Sequence, residues 1–314
     1  MIVSFLDIYP AFGGTTPTTQ PLSQSELKRY NDIVDQLSPK VEKLTRRELV
    51  DLGKAYSAIG NWTGAIKMFT AVLSNYPKDV EAKTLIAAEQ IRTGKERDGL
   101  QTLKSVLEIN KKYIPAYRYL IGIYERRKNH YELRMIYIDL VASFGKKIEY
   151  ITKLCELTAN EGLFDQAVEY CTTGTELDKK EAKNFIHLGV VLRERGETVR
   201  GERLLKSAAD VFSNNLLAQL TYAEHQEQKK DYVSAYSFYK KAVNLDASSV
   251  EAVLGLANSA FEIQKYQEAM EYFLKSCRLD RKTLPAFRKA TNVLRLMKTT
   301  AWLYKYEKSQ EHCF

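Results

Sequence analysis

The stretch Leu52-Gly53-Lys54-Ala55-Tyr56-Ser57-Ala58-Ile59-Gly60-Asn61-Trp62-Thr63-Gly64-Ala65-Ile66-Lys67-Met68-Phe69 decides the fold. Leu49, Leu52 and Tyr56 recur at i, i+3 and i+7, which is one face of an α-helix. Gly60-Asn61 then supplies backbone that tolerates the left-handed conformation and ends that helix. Ala65, Phe69, Val72 and Leu73 mark one face of a second helix, and Tyr76-Pro77 stops it because proline cannot continue. The spacing predicts helices over 48–59 and 63–75.

This unit repeats. Gly60 and Gly94 stand 34 residues apart, as do Gly162 and Gly196, and all four share one phase. Stepping by 34 from Leu52 gives Ile86, Leu120, Leu154, Leu188, Tyr222 and Leu256, all apolar or aromatic. From Ala65 the same step gives Gly99, Leu133, Ala167, Gly201, Ala235 and Ala269, small except at Leu133. From Phe69 it gives Leu103, Tyr137, Cys171, Leu205, Tyr239 and Phe273. Small residues at one station let two helices cross closely, while the apolar and aromatic columns fill the space beside the crossing. Three columns keep step through seven units with no insertion, which predicts an all-α array.

Leu52-Gly53, Tyr56, Gly60, Trp62, Ala65, Phe69 and Pro77 resemble the tetratricopeptide repeat signature at its spacing. So do Leu188-Gly189, Gly196 and Gly201, then Tyr232, Ala235, Tyr239 and Ala242, and Tyr266, Ala269 and Phe273. The resemblance covers 46–283 as 46–79, 80–113, 114–147, 148–181, 182–215, 216–249 and 250–283. It implies a right-handed α-solenoid of antiparallel helix pairs. Ile121 and Leu133 replace the small residues in 114–147, Lys83 and Gln90 replace aromatics in 80–113, and the loop proline survives only as Pro77.

The flanks differ, as the exposed ends of a stack require. Leu27, Tyr30, Ile33, Val34 and Leu37 make 23–45 an amphipathic N-terminal capping helix, with Ser25 as the expected N-cap. Ahead of it, 1–22 is an apolar then flexible arm. Its Phe-Gly-Gly-Thr-Thr-Pro run reads as a linker, and the arm is expected to fold into a groove of this chain or of a second copy. Pro285-Ala286-Phe287 restarts the phase, so 284–314 reads as a cap helix, a shorter helix from about 301 to 309, and a tail.

Composition bounds the function. No apolar run approaches the ~20 residues that span a bilayer. Met1 to Leu6 is apolar but lacks a basic flank, and Asp7 interrupts it, so it makes a poor secretion signal. The four cysteines, Cys155, Cys171, Cys277 and Cys313, form no C-x-x-C pair, and in a chain this long they read as free thiols. That favours a cytoplasmic location and leaves secretion open. Cys155 and Cys171 fall at the packing places of one repeat, so their pairing is left undecided.

The net charge is +8, unevenly placed: 114–147 carries seven Lys/Arg against three acids, 148–181 three against eight. The acidic block argues against the continuous basic stripe of a nucleic-acid binder. No phosphate loop, dinucleotide fingerprint or nucleophile elbow is present, and His130, His187, His225 and His312 form no metal-binding pair. The chain is therefore expected to be no enzyme and to need no cofactor.

The resemblance implies that the first helix of each pair lines a concave face. Between the packing columns, Arg92, Arg118, Tyr119 and Arg126 fall there, followed by Lys153, Lys183 and His187. Arginine with tyrosine suits an acidic, extended peptide. Ile186, Val190, Leu220 and Leu254 follow and predict an apolar stretch for an amphipathic segment. Asn258, Arg288 and Asn292 complete the face. One variant of the family clamps C-terminal carboxylates with Lys, Asn and Arg, but Leu254 stands where its first lysine belongs. The expected function is a scaffold or adaptor that binds a peptide or protein and organises an assembly. The alternatives are an RNA-binding helical repeat and a regulatory subunit of an enzyme complex. The column Val50, Thr84, Arg118, Thr152, Ile186, Leu220 and Leu254 lacks the repeated polar pair that base reading needs.

Overall fold

The computed structural model describes residues 22–297, 302–310 and 313. The 1–22 arm, apart from Leu22, and His312 lie outside them. The chain forms two compact units that divide between Tyr150 and Ile151.

In the first unit, α1 (Gln24–Leu37) and a 3-10 turn (Ser38–Lys43) lead into α2 (Arg46–Ala58), α3 (Trp62–Asn75), α4 (Val80–Arg92), α5 (Glu96–Ile109), α6 (Ile114–Arg126) and α7 (His130–Phe144). Next, α8 (Ile148–Asn160) carries the chain into the second unit. There α9 (Phe164–Leu177), α10 (Ala182–Glu194), α11 (Thr198–Val211), α12 (Leu216–Gln228), α13 (Tyr232–Leu245), α14 (Val250–Glu262) and α15 (Tyr266–Leu279) follow. A 3-10 turn (Arg281–Thr283), α16 (Leu284–Leu296) and α17 (Leu303–Ser309) close it. No strand occurs among the described residues. The even-numbered helices from α2 to α16 begin at 46, 80, 114, 148, 182, 216, 250 and 284, in strict steps of one repeat.

Local chemistry sets the helix ends. Asn61, Asp79, Asn129, Asn215, Asp231 and Ser249 each accept a hydrogen bond from a first-turn N–H, which satisfies a donor that the helix cannot. Ser23, not Ser25, caps α1: Ser23 and Glu26 form a reciprocal capping box. Ser25 was the serine expected there, but Ser23 is the one with a glutamate three residues on, and that selects it. After each first helix from α2 to α14, one residue takes positive φ. It is Gly60, Gly94, Gly162 and Gly196 in four repeats and Lys128, Lys230 and Gln264 in the other three.

Within a repeat the two helices cross where the small column predicted. A side chain on Gly189 would meet Leu205 at 2.7 Å, and one on Gly201 would meet the Gly189 carbonyl at 2.5 Å. Leu52, Phe69, Leu103, Leu154 and Leu256 are fully buried beside such crossings. At the C-terminal end Phe287 stacks on Phe273, with ring centroids 6.3 Å apart. Arg295 donates to Glu307 at 2.8 Å and holds α17 against α16.

The cysteines depart from expectation. Cys155 is bonded to Cys171, joining α8 to α9, and Cys277 is bonded to Cys313, joining α15 to the tail. None is free. All four are buried, Cys313 included. Sequence spacing could not show this, because the partners come together only through helix pairing.

Candidate partner-binding faces

First helices of successive repeats touch one another: α4 with α6 in the first unit, and α10 with α12 and α12 with α14 in the second. Each unit thus presents a face built of first helices, and the register decides which side chains reach it.

In the first unit this face is basic. Arg118, Gly122 and Arg126 lie at i, i+4 and i+8 on α6, one above another. Both arginines are exposed, and so is Arg92 on α4. The Arg126 Nε donates to the Gly122 carbonyl at 3.4 Å. Glu89 is fully buried. It accepts from the Ser57 hydroxyl at 2.6 Å and lies 3.7 Å from the Arg92 guanidinium. Tyr119 is only 7% exposed, so its ring belongs to the packing and not to the open face. Lys54 is already engaged, donating to Glu81 at 2.8 Å.

In the second unit the face alternates in charge. Lys153 pairs with Glu156 at 3.0 Å, and Lys183 is exposed. Between them His187 is held below the usual imidazole range, first by burial and then by Lys183 and Lys153, with Glu156 opposing. It is therefore neutral at pH 7 and adds no positive charge. Further along, partial burial and then Glu251 and Glu227 push the Glu224 carboxyl up. Glu227 accepts a hydrogen bond from the Tyr239 hydroxyl at 2.6 Å. On α16, Arg288 and Asn292 are exposed, and Asn258 on α14 is half-buried.

The continuous apolar stretch is not open. Ile186 is 2% and Leu220 8% exposed, each inside a core cluster. Val190 and Leu254 are half-buried against the same kind of core. These positions sit where one first helix leans on the next, so the neighbouring repeat covers them. Sequence reasoning did not single out the acidic band around Glu224. Stepping by the repeat from Lys183 reaches Leu217 and then Glu251, which reveals the change of sign.

No group of three or more His, Cys, Asp or Glu among the described residues could hold a metal ion. No helix among them is long and apolar enough to cross a membrane.

Residues 49–79 and 250–283 each match a tetratricopeptide repeat family model. These two stretches are tetratricopeptide repeats, and the helix pairs between them keep the same 34-residue step. Solved structures with similar folds include a tetratricopeptide repeat protein from Parabacteroides merdae, 14% identical, with a TM-score of 0.51 over 78% of this chain and 98% of that one. YrrB, a tetratricopeptide repeat protein with an unusual peptide-binding site, is 14% identical over 60% of this chain and 97% of its own, with a TM-score of 0.45. Yeast Tom70 is 14% identical over 91% and 73%, with a TM-score of 0.43. At such identities the likeness is one of fold. No curated protein matches the sequence. The tetratricopeptide repeats account for the 34-residue step, the small crossing station and the turn residue after each first helix.

Proposed function

We propose that the chain is a non-catalytic scaffold whose first-helix faces hold extended segments of other proteins and so bring partners together in an assembly. The observation that carries this reading is the basic face of the first unit. Arg118 and Arg126 are exposed one above the other on α6, and Arg92 on α4 is in register with Arg126 and paired with the buried Glu89. Guanidinium groups in a row offer forked donors to successive carboxylates, so the favoured partner is an acidic, extended segment. An amphipathic apolar helix is disfavoured, because Ile186 and Leu220 are already covered.

A labelled Glu/Asp-rich peptide of about a dozen residues tests this by fluorescence anisotropy at low and physiological salt. Arg118→Glu with Arg126→Glu is expected to weaken binding at least tenfold, with the wild-type affinity falling as salt rises. Equal binding by wild type and variant removes the arginine face from the account. A single-stranded RNA of similar length is run in parallel. RNA binding tighter than the peptide's, with a steep salt slope, replaces the protein-scaffold reading.

A further inference from the structure

The positions of Cys155 and Cys171 recur in every repeat, one on the first helix and one on the second: Gly53 with Phe69, Ala87 with Leu103, Ile121 with Tyr137, Gly189 with Leu205, Ala223 with Tyr239 and Ala257 with Phe273. In each of these the second helix supplies a large residue, and in all but the Ile121 pair the first helix supplies Gly or Ala. Ala223 and Tyr239 share one core cluster, as do Ala257 and Phe273. At Gly53 and Gly189 the large side chain occupies the very space a Cβ would take. The fourth repeat alone has two small residues, Cys155 and Cys171. Their Cα atoms are 4.8 Å apart, and both are fully buried. The bonded pair packs with Leu188 and Leu192 of α10 in one core cluster, so it also seats the first helix of the next repeat.

We propose that the fourth repeat is closed by a covalent bond where its neighbours are closed by packing, and that this part of the array is completed only under oxidising conditions. Two thiols lack the bulk of a leucine or aromatic ring, and only the bonded pair fixes the crossing. Formation is a two-electron oxidation. Each thiol loses a proton, a sulfur–sulfur bond forms, and a disulfide oxidant takes up the two electrons and two protons and leaves as two thiols. A dithiol reductant reverses the step and becomes the cyclic disulfide. Full burial of both sulfurs makes the bond structural and keeps it from passing electrons to other proteins. Cys277–Cys313 adds a second bond in the same unit, in keeping with the same environment.

The test compares four preparations of the full chain: wild type and Cys155→Ala/Cys171→Leu, which installs the pair used by the second repeat, each oxidised and each folded in dithiothreitol. The variant keeps Cys277–Cys313, so its own response to dithiothreitol measures that bond alone. Beyond that shared response, wild type is expected to lose about 5–10 °C of melting temperature on reduction. The reduced variant should melt above the reduced wild type. Equal responses of wild type and variant to dithiothreitol overturn the proposal. So does peptide-resolved alkylation that finds Cys155 and Cys171 free in protein folded with oxidised glutathione. Should the variant not fold, hydrogen exchange of wild type across 186–192 decides. Faster exchange after reduction supports the bond's role in seating Leu188 and Leu192, and unchanged exchange overturns it.

Discussion

The guanidinium of Arg46 donates two hydrogen bonds to the carboxylate of Asp79, at 2.7 and 3.1 Å, across 33 residues of chain. The pair ties the first turn of α2 to the N-cap of α4. Glu81 accepts from the same guanidinium at 2.7 Å and from Lys54 at 2.8 Å. Successive repeats are thus locked by charge at a point where their helices start.

Asp79 serves twice, since it also accepts the Ala82 N–H at 2.8 Å. Asp79→Ala is expected to cost about 1–2 kcal/mol at pH 7, measured by urea unfolding. Burial alone would raise this carboxyl, but the Arg46 and Ala82 hydrogen bonds outweigh it and leave it below the usual range. A depressed carboxyl stabilises the fold above its unfolded value and stops doing so as pH falls through the folded one. The difference between wild type and variant should therefore shrink below about pH 4.

Gly201 lies against the backbone of Gly189. A Cβ there would also stand 2.9 Å from the Arg193 nitrogen. Backbone atoms cannot rotate aside, so Gly201→Ala should force α10 and α11 apart and cost about 2 kcal/mol or more. Thermal unfolding checks this.

Lys128 and Lys230 adopt φ values of 51° and 62° at the station where four repeats place glycine. The left-handed region strains a residue that carries a Cβ by about 1–2 kcal/mol, and glycine gives part of that back as unfolded-state entropy. Lys128→Gly and Lys230→Gly are each expected to stabilise by about 0.5–1 kcal/mol. Unchanged or lower midpoints in denaturant would contradict this.

His187 and His225 both titrate below the ordinary imidazole value, each chiefly through burial. The groups facing His225 are Glu202, 3.6 Å from its Nε2, with Arg193 and Lys229. The unfolded chain binds protons near pH 6.5 that the folded one refuses. Stability from this source is present above pH 6.5 and lost as pH falls toward the folded values. The melting temperature should drop between pH 7 and pH 5, and His187→Gln/His225→Gln should flatten that drop.

Periodicity made the helices legible, because Leu52, Ala65 and Phe69 each start a column that tertiary packing obeys. The residue after each first helix was legible where it was glycine and hidden where it was Lys128, Lys230 or Gln264, since lysine and glutamine carry no turn signal. Arg118 and Arg126 are exposed, as surface arginines in helical register tend to be. Ile186 and Leu220 were misplaced: the repeat position gives the direction of a side chain but not how closely the next helix leans over it. The disulfides were beyond the pattern, since a small residue at a crossing is equally a packing choice and half of a bond.

That bond also changes how the chain would yield to force. Pulled from its ends, a stack of helix pairs unravels one pair at a time and lengthens by a full repeat at each rupture. The Cys155–Cys171 link closes off a span of 16 residues. The fourth step should be shorter than each of the first three by about 16 × 3.5 Å, roughly 5.6 nm. The array thus carries a built-in mark on its own mechanical record.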